Sequence, residues 1–418
     1  MCWVVSNAMK ILLLFFCLFS SSVCLGANSK KVFRIYHDAD YSNLNESAEA
    51  IKMGFLTAFD EVDNQIQGYK IELVAKDHRG NSNRSLLHFK QFLKDPNALL
   101  VLGGVHSPPY IKFRKFINES EALLLVPWAA GGPITRYPSK ENWIFRLSVD
   151  DTKAGKILIN YAKQQGCVAP HLLLEDTAWG RSNYDTLLRE YKKAKPNSAL
   201  PVSWFNWATR ESEARIIIHN IIESEPQCII FVGNAIEGAE FVKAMASIDE
   251  AQRLPIVSHW GVTAGSFFNV IGKKLSADVS LAVLQSCFSF ENKPLSAFSA
   301  RVFNRAKRLF PTQFATHGFV QAAPGFIHGY DIAKLLIAAA EQIKLTDSVA
   351  TNRALLRSAF EDLQSPVNGL IKTYQRPFRV WNEKNDSAHE ALTVQDLCIG
   401  QYQSNGSIKL VYSYSGSY

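Results

Sequence analysis

The sequence predicts an α/β protein built as two lobes with parallel sheets, and three observations carry that expectation. From Val32 onward, short apolar runs alternate with longer amphipathic ones. The same succession starts again near Lys153. The 418 residues are 47% hydrophobic and 20% charged, enough core for about two or three compact units and a balance that excludes a disordered chain, collagen or a disulfide-stapled miniature.

In the first block the runs Val32 to Tyr36, Lys70 to Lys76, Leu99 to Leu102 and Ala122 to Pro127 read as strands by their length and aliphatic content. The first helix is read from Ile51, Phe55, Phe59 and Val62 on one face, with Glu49, Lys52 and Asp60 turned away. The second block reads as helix Lys153 to Gln165, strand His171 to Leu174, helix Tyr184 to Lys193, strand Val202 to Phe205 and helix Glu211 to Glu223. Strand Cys228 to Val232, helix Gly238 to Ser247 and strand Pro255 to Ser258 follow. Strand and helix in regular alternation imply parallel sheets covered on both faces. A long helix through Ile332, Leu335, Leu336, Ala339, Ala340 and Ile343 comes next, then one near Asn352 to Phe360 and an extended, turn-rich tail from Pro366 to Val411.

The formal charge is only +7, from 45 Lys and Arg against 38 Asp and Glu, and the charges are interspersed. Pairs such as Lys192-Lys193 and Lys273-Lys274 read as solvated surface, so no nucleic-acid partner is expected. At the N-terminus Lys10 precedes the apolar run Ile11 to Phe19, then Ser20 to Ser22 and small residues at Gly26-Ala27. This is the pattern of a cleaved export signal over residues 1–26, with Met9 an alternative start, and the run is too short to span a bilayer. Cys24 lacks the aliphatic residue that a lipoprotein signal places before it. The remaining cysteines, Cys167, Cys228, Cys287 and Cys398, are too widely spaced for a zinc ribbon or a CxxC motif; Cys228 and Cys287 sit in apolar, strand-like runs and read as buried free thiols, while export permits disulfides that the sequence does not demand.

The chain shows no G-x-S-x-G elbow, H-E-x-x-H, phosphate-binding loop or G-x-G-x-x-G. Its ten histidines are scattered, and those such as His171 and His328 read as packed residues. No catalytic residue, metal or cofactor is therefore expected. Aromatic and small residues instead cluster where predicted strands end, the edge at which open α/β sheets bind ligands. Leu99 to Leu102 runs into Gly103-Gly104-Val105-His106-Ser107-Pro108-Pro109-Tyr110, whose hydroxyl and opening helix are candidates to hold an anionic group. Other strands end in Trp128-Ala129-Ala130, in Glu175-Asp176-Thr177-Ala178-Trp179, in Gly233-Asn234-Ala235 and in His259-Trp260-Gly261. Tryptophans at three strand ends suit a pocket that encloses a small solute.

These residues resemble the type I periplasmic binding proteins of the branched-chain amino-acid and amide branch, the receptors of ABC importers. The matching stretches are Val101-Leu-Gly-Gly-Val-His-Ser107, Leu124-Leu-Val-Pro-Trp-Ala-Ala130, Trp143-Ile-Phe-Arg-Leu-Ser-Val-Asp-Asp151 and Asp176-Thr-Ala-Trp-Gly180. The resemblance implies two Rossmann-like three-layer lobes, 30–147 with 290–365 and 148–289 with 366–418, joined by three crossings near Arg146 to Asp150, Gln285 to Phe290 and Pro366 to Ile371. It implies that Ser107 holds a ligand oxygen, that Trp128, Ala129 and Ala130 contact it closely, and that Trp179 covers it. Asn234, Ala235 and Trp260 complete the expected site. The chain departs from the family at informative places. Ala130 replaces a hydroxyl partner of the serine, Ala235 an aromatic residue, His106 a cysteine, and Trp260 the acid that pairs with a ligand ammonium. A buried ammonium without that acid costs several kcal/mol, so Glu175, Asp176 and Glu237 are the remaining acidic candidates, although each also fits a lobe surface.

The function expected from sequence is that of a monomeric, periplasmic, non-enzymatic receptor. It would trap an amino acid, amide or related small polar solute by hinge closure and present it to an inner-membrane ABC permease. The alternatives are a subunit that presents its solute to a sensor kinase, an exported receptor ectodomain with sequons at Asn45 and Asn118, and an enzyme with a dispersed site.

Overall fold

The computed structural model describes residues 31–139, 141–318, 320–414 and 416–417, so the expected export signal lies outside the described residues. The first sheet is built from β1 (Val32–Ala39), α1 (Asn45–Asp60), β2 (Gln65–Ile66), β3 (Tyr69–Asp77), α2 (Ser82–Lys94), β4 (Ala98–Gly103), α3 (Pro108–Glu119), β5 (Leu124–Val126) and β6 (Ile144–Arg146). Its strand order is β2-β3-β1-β4-β5-β6, and all pairs but β2–β3 are parallel. β4 and β5 are buried on both faces, which is why they read as unbroken aliphatic runs.

The second sheet follows α4 (Asp151–Gln164). It contains β7 (Pro170–Glu175), α5 (Ala178–Ala194), β8 (Val202–Phe205), α6 (Glu211–Glu223), β9 (Cys228–Val232), α7 (Ala235–Ala246), β10 (Ile256–Ser258), α8 (Phe267–Asp278) and β11 (Leu281–Ser286). The chain then adds α9 (Ala297–Leu309), α10 (Pro311–His317), α11 (Ala323–Glu341) and α12 (Val349–Glu361). A small ladder of β12 (Val367–Asn368) and β13 (Thr373–Tyr374) comes next, and β14 (Leu397–Tyr402), β15 (Ile408–Ser413) and β16 (Gly416–Ser417) close the chain. The last three join the second sheet antiparallel, giving the order β16-β15-β14-β11-β10-β9-β7-β8. The tail that reads as extended and turn-rich thus becomes the antiparallel edge of a parallel sheet.

α11 returns to the first sheet and is buried almost throughout. It crosses α1 at close range: a Cβ on Gly54 would stand 2.0 Å from the Phe326 carbonyl oxygen, and one on Gly329 would stand 2.4 Å from that of Ile51. Only glycine permits backbones this near. The predicted apolar face of α1 is the face so covered, with Ile51, Phe55 and Phe59 buried, each contributing about 1.5–3 kcal/mol by leaving water.

The cysteine expectation is corrected. Cys167 is joined to Cys228 and Cys287 to Cys398, so none of the four is a free thiol. The turn after α4 brings Cys167 to the start of β9. The β11–β14 ladder, in which Gln285 faces Cys398, brings Cys287 alongside. The fold of the second sheet sets both pairings, and spacing along the chain carries no trace of it. Asn118 is also corrected as a glycosylation site: it is buried, its amide donating to the Arg114 carbonyl and its oxygen accepting the Trp143 N–H. Among the described residues no helix is long and apolar enough to cross a membrane.

Candidate functional site

In each sheet the strand order reverses at one place, between β1 and β4 in the first and between β7 and β9 in the second. Loops leaving the carboxyl ends of strands on either side of such a reversal diverge to opposite faces and open a crevice. The loop after β4 carries His106 and Ser107. The loop after β7 carries Glu175 to Trp179, and that after β9 carries Asn234. These loops face one another around a tight space of only about 10 Å3 lined by Ser107, Ala130, Glu175, Trp179, Asn234 and Trp260, together with His106 and Trp207.

Five of the eight residues expected from sequence therefore meet in one place: Ser107, Ala130, Trp179, Asn234 and Trp260. Trp128, Ala129 and Ala235 do not line it. Trp128 is fully buried behind Trp260, its ring edge-on to that indole at 5.9 Å. Ala129 packs into the core beneath α3, and Ala235 is the buried first residue of α7.

Ser107 Oγ accepts the Gly131 N–H at 3.0 Å, which leaves its own proton for a ligand oxygen. The anion-binding reading of this loop is corrected in two respects. The Tyr110 hydroxyl is wholly buried, donating to the Asp38 carbonyl at 2.7 Å and accepting the Gly104 N–H at 2.8 Å, so it is consumed inside the lobe. Pro108 and Pro109 open α3 and have no N–H to offer an anion.

Glu175 changes the character of the site. It ends β7 fully buried, contrary to the surface position that its place in the sequence allowed, and Glu237 in the first turn of α7 is buried too, at 5% exposure. Asp176 alone keeps to the surface, paired with Arg181 at 2.6 Å. Glu175 accepts hydrogen bonds from Thr177 at 2.8 Å, Asn234 at 3.0 Å and the Trp207 side chain. Burial pushes its carboxyl up to about 7, with Glu237 adding to the rise and those three donors opposing it. No Lys or Arg lines this inner space.

Trp179 is fixed by a hydrogen bond from its Nε1 to Asp151 at 3.3 Å and by the edge of His259, whose ring centre is 5.1 Å away. Gly261 permits this closure, since a Cβ there would meet the Gly233 carbonyl oxygen at 2.2 Å and the Trp179 ring at 2.7 Å. Trp260 rests on His328, which bonds the Pro127 carbonyl and Ser286 at 2.9 Å each and is the packed residue expected of it.

Trp207 went unnoticed in the sequence, although it follows strand β8 as the other tryptophans follow theirs. Its ring centre lies 5.3 Å from that of His106 of the opposing lobe, the two planes tilted by 32°. Together with Asn234 this pair lines both the inner space and an outer one of about 200 Å3 that reaches Asp40, Arg79 and Glu237. A smaller recess of about 50 Å3 between α8, Tyr402 and the start of α11 has no buried charged side chain in its lining.

The periplasmic binding protein family pattern matches residues 39–379, and the chain belongs to that family, one of solute-binding proteins and not of enzymes. No curated protein matches the chain. Solved structures agree on the fold. A type 1 periplasmic binding protein from Bordetella pertussis is 16% identical, with 91% of this chain and 100% of that one aligned at a TM-score of 0.72. A possible leucine/isoleucine/valine-binding protein from Rhodopirellula baltica is 14% identical over 91% and 96%, at 0.73. An ABC transporter solute-binding protein from R. palustris, in complex with benzoate, is 13% identical over 93% and 97%, at 0.72.

Proposed function

We propose that the chain is an exported periplasmic receptor, monomeric, that closes on a small polar solute and delivers it to an ABC importer. Its lobes would be 30–147 with 290–365 and 148–289 with 366–418. The observation that carries this reading is the convergence of Ser107 from one sheet with Glu175, Asn234, Trp179 and Trp260 from the other. A solute touching both sets binds the closed form better than the open one, and that difference in affinity drives closure.

The lining favours a solute rich in N–H groups, an amine or an amide. Glu175 and the Ser107 hydroxyl are there to meet it, Trp179 and Trp260 supply flat apolar walls, and no basic side chain is present to neutralise a bare carboxylate. A simple aromatic acid such as benzoate, bound by the R. palustris protein, would leave two carboxyl groups facing each other. Titration calorimetry with small amines, amides and amino acids against matched carboxylic acids tests this. Binding of the first group, weakened at least about tenfold in Glu175→Gln and in Trp179→Ala, is expected. Tight binding of carboxylic acids, unaffected by Glu175→Gln, would refute it.

A further inference from the structure

Four of the ten histidines gather around the carboxyl end of β1: His37 on the strand, His88 bonded to Asp38 at 2.6 Å, and His78 and His106 beside Asp40. The last three residues form a set of their own. One donor atom from each of Asp40, His78 and His106 lies within 4.8 Å of the other two. The imidazole centres are 5.4 Å apart, and His106 Nδ1 is 3.9 Å from Asp40 Oδ2. All three are buried, at 1%, 0% and 6% exposure respectively. His78 Nε2 and His106 Nδ1 meet no hydrogen-bond partner in the protein. An unsatisfied buried nitrogen costs about 1–3 kcal/mol, and two of them on the histidines of one buried cluster with a carboxylate are better explained by a shared ligand than by chance.

We propose that Asp40, His78 and His106 bind a divalent transition cation of the zinc type, reached from the outer part of the cleft, which Asp40 and His106 both line. Two imidazoles and a carboxylate form the donor set that zinc takes when a fourth position stays open. The supporting contacts are present: Asp40 Oδ1 accepts the backbone N–H of Asn43 at 2.8 Å and of Ser42 at 3.2 Å, which orients the carboxylate. His78 Nδ1 accepts the Gly80 N–H at 3.1 Å. A cation taking either nitrogen of His78 displaces that bond, and Gly80, at φ +69°, gives the turn the backbone freedom to yield it. The histidines are far apart in sequence, so metal-ligand spacing gives no sign of them; the sheet order brings them together.

The test uses mature, tag-free, chelator-stripped protein titrated with Co2+ in the absence of any solute, so a negative result leaves the solute reading standing. One Co2+ per chain with a visible absorption band, displaced by Zn2+, is expected. His106→Gln, His78→Gln and Asp40→Asn should each weaken binding at least about tenfold, while His219→Gln, at an exposed histidine on α6, leaves it unchanged. The spectrum of the unaltered protein does not depend on whether a variant folds, and each variant is compared only after its metal-free melting curve shows a cooperative transition. Absence of a band and of Zn2+ binding heat would overturn the proposal, as would binding that survives all three substitutions.

Discussion

The junction between the sheets and the mouth of the cleft are both buried and both charged, yet they treat charge in opposite ways. At the junction Arg146 is fully buried and donates to both carboxylate oxygens of Glu390, at 2.7 and 2.6 Å, and to the Gly131 carbonyl at 2.7 Å. Asp150 stands 3.0 Å from Arg146 and 2.7 Å from Arg136. Burial works to raise the Asp150 carboxyl, but Arg146, Arg136 and Lys153 outweigh it and hold it well below the usual carboxylate range. At the cleft, Glu175 has donors but no cation, and His78 Nε2 and His106 Nδ1 have nothing. The junction is complete as it stands. The cleft keeps polar groups that a bound solute or cation would complete.

The sharpest way to break this contrast is Glu390→Ala, which removes the two-pronged carboxylate partner of the buried Arg146 guanidinium and leaves it Asp150 and the Gly131 carbonyl. A loss of about 3–5 kcal/mol in urea unfolding is expected; a loss under about 1 would show that the network does not hold the junction. Replacing Cys287 and Cys398 by serine removes a link beside the same junction. It should cost about 2–4 kcal/mol, and somewhat more than removing Cys167–Cys228, because the sequence separations are 111 and 61 residues. Equal melting of the reduced and oxidised protein would contradict this.

Glu175→Gln probes the other side. The folded value, about 7, lies above the ordinary 4.5, so between these pH values the native state holds more protons than the unfolded one. Its contribution is fully present below about pH 4.5 and is lost as pH rises to about 7, by roughly 3 kcal/mol at about 1.4 kcal/mol per unit. The glutamine variant should lack that component, so its stability relative to the parent should rise across this window; parallel pH profiles would sink the assignment. Smallest is Ser107→Ala, which removes the acceptor for the Gly131 N–H and should cost about 1 kcal/mol in thermal unfolding, with no change expected at the junction.

Much of the architecture was legible because parallel strands buried on both faces announce themselves. Val202–Phe205, Glu211–Glu223 and Cys228–Val232 appear with the very limits expected of them. β14 and β15 were not legible, because their alternation serves an edge that only the returning chain reveals. The site was half legible. Strand ends pointed to Ser107, Trp179, Asn234 and Trp260, while Trp128 and Ala129, equally placed in sequence, turn into the core. Glu175 reads as surface because a carboxylate after a strand ordinarily is; burial and the donors from Thr177, Asn234 and Trp207 make it otherwise.

Native mass spectrometry of the mature protein, before and after mild denaturation and after exposure to amines and amides, tests the central claim most directly. A discrete small-molecule mass that is released on unfolding, and that is absent from Trp179→Ala, is the expected result. A bare protein mass, unshifted by every amine and amide offered, would contradict the claim that the cleft is completed by a solute.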